Sequence, residues 1–229
     1  CPAKEKALTF EHLAEARKEG QDENYKFFEQ LPDNVIDGAP IDTVKGSQFL
    51  VPYFEFSGAC AGCGETPYVK LVSQLYGNRM IVANATGCSS IYGGSFPSLP
   101  YCKDKEGRGP AWANSLFEDN AEYGYGMRVA VDKNREQLRR NVEKALAIGI
   151  PCEDMTNALK KALENWTSTD ADAIKLQNEI GAMLPTAVEK SEGELKAAFS
   201  KMAELKDYFV DKSVWIIGGD GWAYDIGYG

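Results

Sequence analysis

Three cysteines, Cys60, Cys63 and Cys88, and an aspartate set between glycines, Gly219-Asp220-Gly221, are the residues whose types and spacing point to chemistry. Two residues separate Cys60 from Cys63, so one tight turn can aim both sulfurs at a single centre. Gly58, Gly62 and Gly64 remove Cβ atoms around that turn, which lets the backbone approach a bulky inorganic core. Backbone N–H groups can then face the sulfurs, offsetting thiolate charge and helping to set a cluster's reduction potential. Cys88 follows the apolar run 80–83, at the carboxyl end of an expected strand, where α/β sheets place their ligands.

A structural zinc site wants four ligands, and the one histidine, His12, lies far upstream in a helical segment where it reads as a surface residue. A thioredoxin-like pair would use Cys60 and Cys63 and leave Cys88 idle. With Cys88 and this many glycines, the pattern favours an iron–sulfur cluster over zinc. Cys102 and Cys152 read as packing residues. A fourth ligand is missing. Cys1 is one available donor, but Cys1-Pro2 also matches the close of the bacterial ferredoxin run, so a ferredoxin-like domain is expected upstream.

Near the other end, the apolar run 213–217 enters Gly218-Gly219-Asp220-Gly221, and a helix is expected from Trp222. Small residues at a strand-to-helix turn let backbone N–H groups face a diphosphate, and the helix N-terminus favours its charge. Asp220 offers a hard oxygen for Mg2+, which binds through few protein ligands together with phosphate oxygens. The competing reading is a tight turn and nothing more. The sequence stops at Gly229, before a crossover helix or further strand, so the domain is expected to continue.

The elements that must position these residues follow from periodicity and punctuation. Helices are expected over 9–19 and 24–31, and residues 32–48 form a connector carrying Pro32, Gly38, Pro40 and Gly46. Residues 49–56 read as extended, leading to the cysteine turn. A helix over 66–76 opens with Pro67 at an acceptable position and closes on Gly77. A strand over 79–85 follows, and 91–109 reads as a long ordered loop. Trp112, Asn114 and Phe117 either line a cofactor cavity or pack that loop on the sheet. Amphipathic helices are expected over 133–148, 153–166 and 170–184. Ser191 and Glu194 have the spacing of a capping box opening a helix to 209.

The chain of 229 residues is long enough for one or two α/β units. Its 25 basic and 34 acidic residues give a net charge of −9 with no basic cluster, which argues against nucleic-acid and anionic-membrane partners. No apolar stretch approaches membrane-spanning length, and no signal peptide is expected. Cysteines at metal-like spacing suit a reducing interior, so a cytoplasmic protein is expected.

The stretch from Phe54 to Val69, the segment Asn84 to Cys88 and the stretch Gly109 to Asn120 resemble the thiamine-diphosphate domain of pyruvate:ferredoxin (flavodoxin) oxidoreductases, and Gly219 to Gly229 resembles that family's diphosphate-binding segment. The resemblance is dense from 45 to 132 and from 213 onward, and general helical character carries it between 147 and 210. It implies an α/β fold of the thiamine-diphosphate-binding type, a parallel sheet flanked by helices, over residues 49–229. Residues 1–48 would be a linker with short helices.

By the same resemblance, Cys60, Cys63 and Cys88 match three of four ligands of a [4Fe-4S] cluster. Glu65 and Cys88 match positions that approach thiamine diphosphate, and Gly219, Asp220, Gly221 and Trp222 match the diphosphate and Mg2+ segment, with Asp220 the metal ligand. The fourth cysteine and the second half of the diphosphate motif would lie beyond this chain, and the groups that act on substrate would sit on another domain, so no catalytic residue is assigned here. The implied activity is oxidative decarboxylation of pyruvate to acetyl-CoA and CO2. Its implied partners are coenzyme A, ferredoxin or flavodoxin, the remaining domains of the same enzyme and a second copy in a homodimer. This piece alone is expected to hold neither cofactor. The alternative is a non-catalytic iron–sulfur or zinc-binding electron-transfer module, in which the Gly-Asp-Gly turn is incidental.

Overall fold

The computed structural model describes residues 4–7, 9–31, 40–95, 97–219 and 221–226. The chain divides into two compact units, residues 1–51 and 52–229. The first holds α1 (Leu13–Lys18), α2 (Gln21–Gln30) and the short α3 (Val44–Ser47). Gly20 takes φ of +78° between α1 and α2, a conformation that costs glycine little. The Thr43 hydroxyl accepts from the Gly46 amide at 3.0 Å and caps α3, placing a helical turn inside the stretch expected to be a connector. His12 is exposed at the start of α1.

The second unit is α/β. Its sheet is parallel, ordered β2-β1-β3, from β1 (Met80–Asn84), β2 (Ala111–Asn114) and β3 (Ser213–Ile217). Register pairs Val82 with both Trp112 and Trp215, and Ala83 with both Ala113 and Ile216. Paired residues of parallel strands share a face, so the two rows meet different helices. The tryptophan row faces α4 (Thr66–Tyr76), where Tyr76 stacks on Trp215 at 5.4 Å, and α5 (Cys88–Gly94), where Trp112 lies on Gly93 and Gly94. The other row meets α6 (Asn120–Ile148) at Gly124, where a Cβ would run into Ile216. With both faces covered, the central strand is almost wholly buried.

Beyond the sheet, the distal part of α6 packs with α7 (Glu153–Glu164), α8 (Ala171–Lys190) and α9 (Gly193–Glu204). Their apolar residues recur at helical spacing, as in Leu176, Ile180 and Leu184 of α8. Leu138, Val142, Leu159, Ile180, Leu184 and Met202 retain no exposed surface, and burial of each such side chain contributes about 1.5–3 kcal/mol. Arg135, 7% exposed, ties this bundle to its neighbours. Its guanidinium donates to the carbonyls of Tyr208, Phe209 and Trp166 and lies 4.6 Å over the Trp166 ring.

Several expectations need correction. Residues 49–56 form no strand; Phe54 makes a single antiparallel bridge with Tyr101. The supposed loop 91–109 begins inside α5, and β2 follows it. Helix α6 starts at Asn120, well before residue 133. Pro185 does not end α8, because Ala187 and Val188 beyond it pack on the bundle core. With α8 extended, Ser191 sits at its end and donates to the Ala187 carbonyl at 2.6 Å, so it opens no capping box, and Glu192 precedes α9 without a side-chain cap. Cys152 is exposed just before α7 and so lies outside the core, whereas Cys102 is half-buried. Among the described residues no helix is long and apolar enough to cross a membrane.

Candidate functional site

Parallel strands bring their carboxyl ends to one edge of a sheet, and here that edge gathers the three segments singled out above. Strand β1 leaves the sheet through Ala85, Thr86 and Gly87, and Cys88 is the first residue of α5. Strand β3 is its direct neighbour: Asn84 pairs with Ile217, and the Ala85 amide donates to the Ile217 carbonyl at 2.8 Å. The turn carrying Cys88 and the turn carrying Gly218 and Gly219 therefore leave adjacent strands on the same side. A Cβ on Gly218 would stand 3.1 Å from that of Ala85 and would collide with the Trp222 ring. Only a residue without a side chain lets the two turns pack this closely.

Gly219 differs. Among the described residues a Cβ there would meet nothing within 4 Å, which leaves room for the approach a phosphate group would require. The following wide helical turn, Gly221–Ile226, is joined to it by the Ala223 amide, which donates to the Gly219 carbonyl at 2.9 Å. Phe117 lies 3.6 Å from where a Cβ of Gly221 would be. Asp220 is outside the described residues, as are Cys1 and Pro2.

A network of asparagines, unnoticed in the sequence, holds the three strand ends in place. Asn84, fully buried, donates to the Ala85 carbonyl at 2.7 Å, to Ser89 Oγ at 3.1 Å and to Asn114 Oδ1 at 3.3 Å. Asn114 donates to Thr86 Oγ1 at 2.8 Å. Asn120, also fully buried and the first residue of α6, donates to the Ile217 carbonyl at 3.2 Å and accepts from Ser115 Oγ at 2.8 Å. Asn114 thus braces the rim, and Trp112 packs α5 against the sheet. The signal available beforehand was a single asparagine, Asn84, at the end of the expected strand over 79–85.

The cysteine turn approaches from the other side of α5. The Cys63 amide donates to the Cys60 carbonyl at 3.0 Å, and Gly62 takes φ of +77°, the left-handed conformation required at the third position of a type II turn. Ser57 Oγ donates to Thr66 Oγ1 at 3.0 Å, fixing the turn to the start of α4. A Cβ on Gly58 would touch that of Tyr92 at 3.4 Å, so the turn packs on the helix that Cys88 begins. Cys60 and Cys88 are exposed, Cys63 is half-buried, and all three thiols are free. Among the described residues no three Cys, His, Asp or Glu side chains converge as a metal ion requires. The thiols share one neighbourhood and do not meet at one point. Their softness and accessibility fit an iron–sulfur centre in kind.

Beneath the turn lies a small aromatic core of Phe54, Tyr92 and Tyr101, with Val69. Burial, followed by the negative charge of Glu65, pushes the phenols of Tyr92 and Tyr101 far above the usual range. The Glu65 carboxylate therefore points inward, beside Tyr92, at the start of α4. Among the described residues Trp112 Nε1 is buried without a hydrogen-bond partner. Cys102 has a different setting: its sulfur faces the Pro52 carbonyl at 3.6 Å, and burial, with Glu55 beside it, raises its thiol to about 11.

No protein-family model matches the chain. It is 53% identical over 232 residues to the pyruvate:ferredoxin oxidoreductase of Moorella thermoacetica. It is 48% identical over 235 residues to the pyruvate-flavodoxin oxidoreductase of Rhodospirillum rubrum, and 46% over 241 to a probable pyruvate-flavodoxin oxidoreductase of Escherichia coli. Each alignment covers 100% of this chain and 19% of the relative, so the chain spans about a fifth of the length of the curated relatives it matches.

Proposed function

The chain belongs to the pyruvate:ferredoxin (flavodoxin) oxidoreductase family, similar along its whole length to one segment of those enzymes, and on that premise we propose that it forms part of an enzyme that oxidatively decarboxylates pyruvate to acetyl-CoA and CO2. Thiamine diphosphate, when bound, supplies the carbon nucleophile and electron sink for loss of CO2, and a [4Fe-4S] cluster supplies a one-electron acceptor. The observation that carries this reading is the shared rim, where the Cys88 turn and the Gly218–Gly219 turn leave neighbouring parallel strands in contact with each other.

In this reading each residue has a task set by its chemistry. Cys60, Cys63 and Cys88 supply soft thiolates, and the glycines around them let backbone donors close on sulfur. Gly219 and Gly221 offer a backbone that a diphosphate can approach, and Asp220 offers the hard oxygen that Mg2+ prefers. Trp222, seated on Gly218, walls the turn. Glu65 and Cys88 hold positions that the family places near the thiamine. The rest of the reading concerns the whole enzyme: coenzyme A as acyl acceptor, ferredoxin or flavodoxin as electron acceptor, association as a homodimer, and residence in the reducing cytoplasm.

The test is anaerobic purification of the full-length enzyme, with iron, sulfide and thiamine diphosphate counted. The reading expects iron and acid-labile sulfide, and Mg2+-dependent cofactor binding that Asp220→Ala removes. One equivalent of zinc without sulfide, or full activity in Asp220→Ala, would contradict it.

A further inference from the structure

The edge of the sheet opposite the rim holds positive charge that the proposed chemistry does not use. Asn78 and Arg79 lead into β1 and Lys212 leads into β3, so all three stand at the amino ends of the strands. With five residues in β1, that edge lies about 15 Å from the carboxyl rim. Two adjoining clefts open there, the larger of about 230 Å³, and Asn78, Arg79 and Lys212 line both. Lys212 is half-buried, and among the described residues its ammonium makes no hydrogen bond or ion pair; it lies 5.9 Å from the centroid of the Tyr208 ring. Arg79, also half-buried, lies 5.4 Å over the Tyr76 ring and donates to the Asp211 carbonyl at 3.3 Å. The Asp211 carboxylate is taken up by Arg128 at 2.9 Å and Arg135 at 3.6 Å, so it supplies Arg79 with no counter-charge. Asp207, exposed on the larger cleft, forms no ion pair with either cation among the described residues. Arg108, on the smaller cleft, is already met by Asp104 and Glu106 at 3.0 Å each. Burial holds the Lys212 ammonium below the usual lysine range; Asp207 opposes that shift and Arg79 adds to it. Two like charges thus share a partly desolvated cleft, an arrangement that a bound anion would relieve.

We propose that this cleft is a binding site for a phosphoryl group, held between Arg79 and Lys212 with Asn78 lining the same space, and separate from the cofactor rim. A phosphoryl dianion matches two cations, whereas a monocarboxylate would leave one of them unmatched. Guanidinium and ammonium groups are recurrent phosphate ligands, the first as a planar fork and the second as a compact charge. The chain carries a net charge of −9, so this pair is a local exception to an acidic protein rather than part of a basic surface. The larger cleft has room for a phosphate ion or a small phosphomonoester. The site goes beyond the function proposed above and shares no residue with it.

The experiment titrates the full-length enzyme with inorganic phosphate by isothermal calorimetry. Lys212→Met and Arg79→Gln are each expected to weaken binding about tenfold, the loss of one charge-assisted contact. Lys212→Arg, which keeps the charge, is expected to bind about as well as wild type, and it decides the matter with Arg79→Gln if Lys212→Met fails to fold. Acetate, a monoanion, should bind wild type about tenfold more weakly than phosphate. Glycerol phosphate serves as the ester: tighter binding than phosphate assigns a phosphomonoester, weaker binding assigns the free ion, and either result supports the site. Absence of phosphate binding in wild type, or equal affinity in wild type, Lys212→Met and Arg79→Gln, would overturn it. That failure would leave the proposed function standing, because the cofactor measurements read other residues.

Discussion

The helical bundle and the carboxyl rim belong to the same unit, and they are finished to different degrees. In the bundle, apolar residues from four helices close on one another, and Arg135 finds three carbonyls and an aromatic face. None of the bundle's buried side-chain polar atoms lacks a partner among the described residues. At the rim, among the described residues, Cys60 and Cys88 are exposed, a Cβ on Gly219 would meet nothing within 4 Å, and Trp112 Nε1 and Asn84 Oδ1 are buried without a hydrogen-bond partner. A region that satisfies its own polar groups is scaffold. In the proposed function, the exposed thiols and the open glycine backbone are where the ligands would bind.

That contrast predicts that substitutions in the two regions will read out differently, and the largest effect belongs to the rim. Cys60→Ser and Cys88→Ser in the holoenzyme are expected to lose the iron of one cluster and nearly all activity. Both residues are exposed, so melting of the metal-free protein should shift by no more than about 0.5 kcal/mol. Retention of that iron would break the contrast.

In the bundle, Arg135→Ala strands three carbonyls in two segments and removes the cation over Trp166, while Asp211, 3.6 Å away, keeps its pair with Arg128. Denaturant unfolding should show a loss of about 3 kcal/mol, with iron content unchanged in the surviving folded protein. Asn120→Ala lies between the two regions. Removing its bonds to the Ile217 carbonyl and to Ser115 should cost about 1–3 kcal/mol, and it should also weaken thiamine diphosphate binding by loosening β3 at its end. An effect on stability alone would assign that network to the scaffold.

The smallest effect is on pH. The Cys102 thiol titrates near 9.0 when unperturbed and at about 11 in the fold, where burial favours the protonated form. Between those values the folded state binds more protons than the unfolded one, so stability is fully present below the lower value and declines as pH rises toward the higher. Cys102→Ala should flatten that part of the stability profile, a difference that urea melts across the alkaline range can read.

Much of this was legible in the sequence, for physical reasons that vary by element. Helix α4 and strands β1 and β3 were readable because apolar runs stand between strong punctuation: Pro67 and Gly77 around the helix, Gly218 after β3. The opening of α6 was not, because Gly124 and Gly126 lower helix propensity there. Gly124 is needed for close approach to Ile216, a tertiary demand that local preference cannot show. Helix α8 outran Pro185 for a similar reason, as packing of Val188 outweighs the missing amide. At the site, thiols and glycines announce themselves by spacing, whereas Asn84 and Asn120 are ordinary residues until the fold brings strand ends and helices around them.

The central claim is that the cysteine cluster and the diphosphate turn share one rim, and a spin measurement on the holoenzyme tests it most directly. With Mn2+ exchanged for Mg2+, a paramagnetic ion at Asp220 should speed the electron-spin relaxation of the reduced cluster whose signal Cys88→Ser removes. Asp220→Ala should abolish the acceleration. Unchanged relaxation in an enzyme shown to contain both the cluster and bound Mn2+–thiamine diphosphate would place the two sites apart and contradict the account.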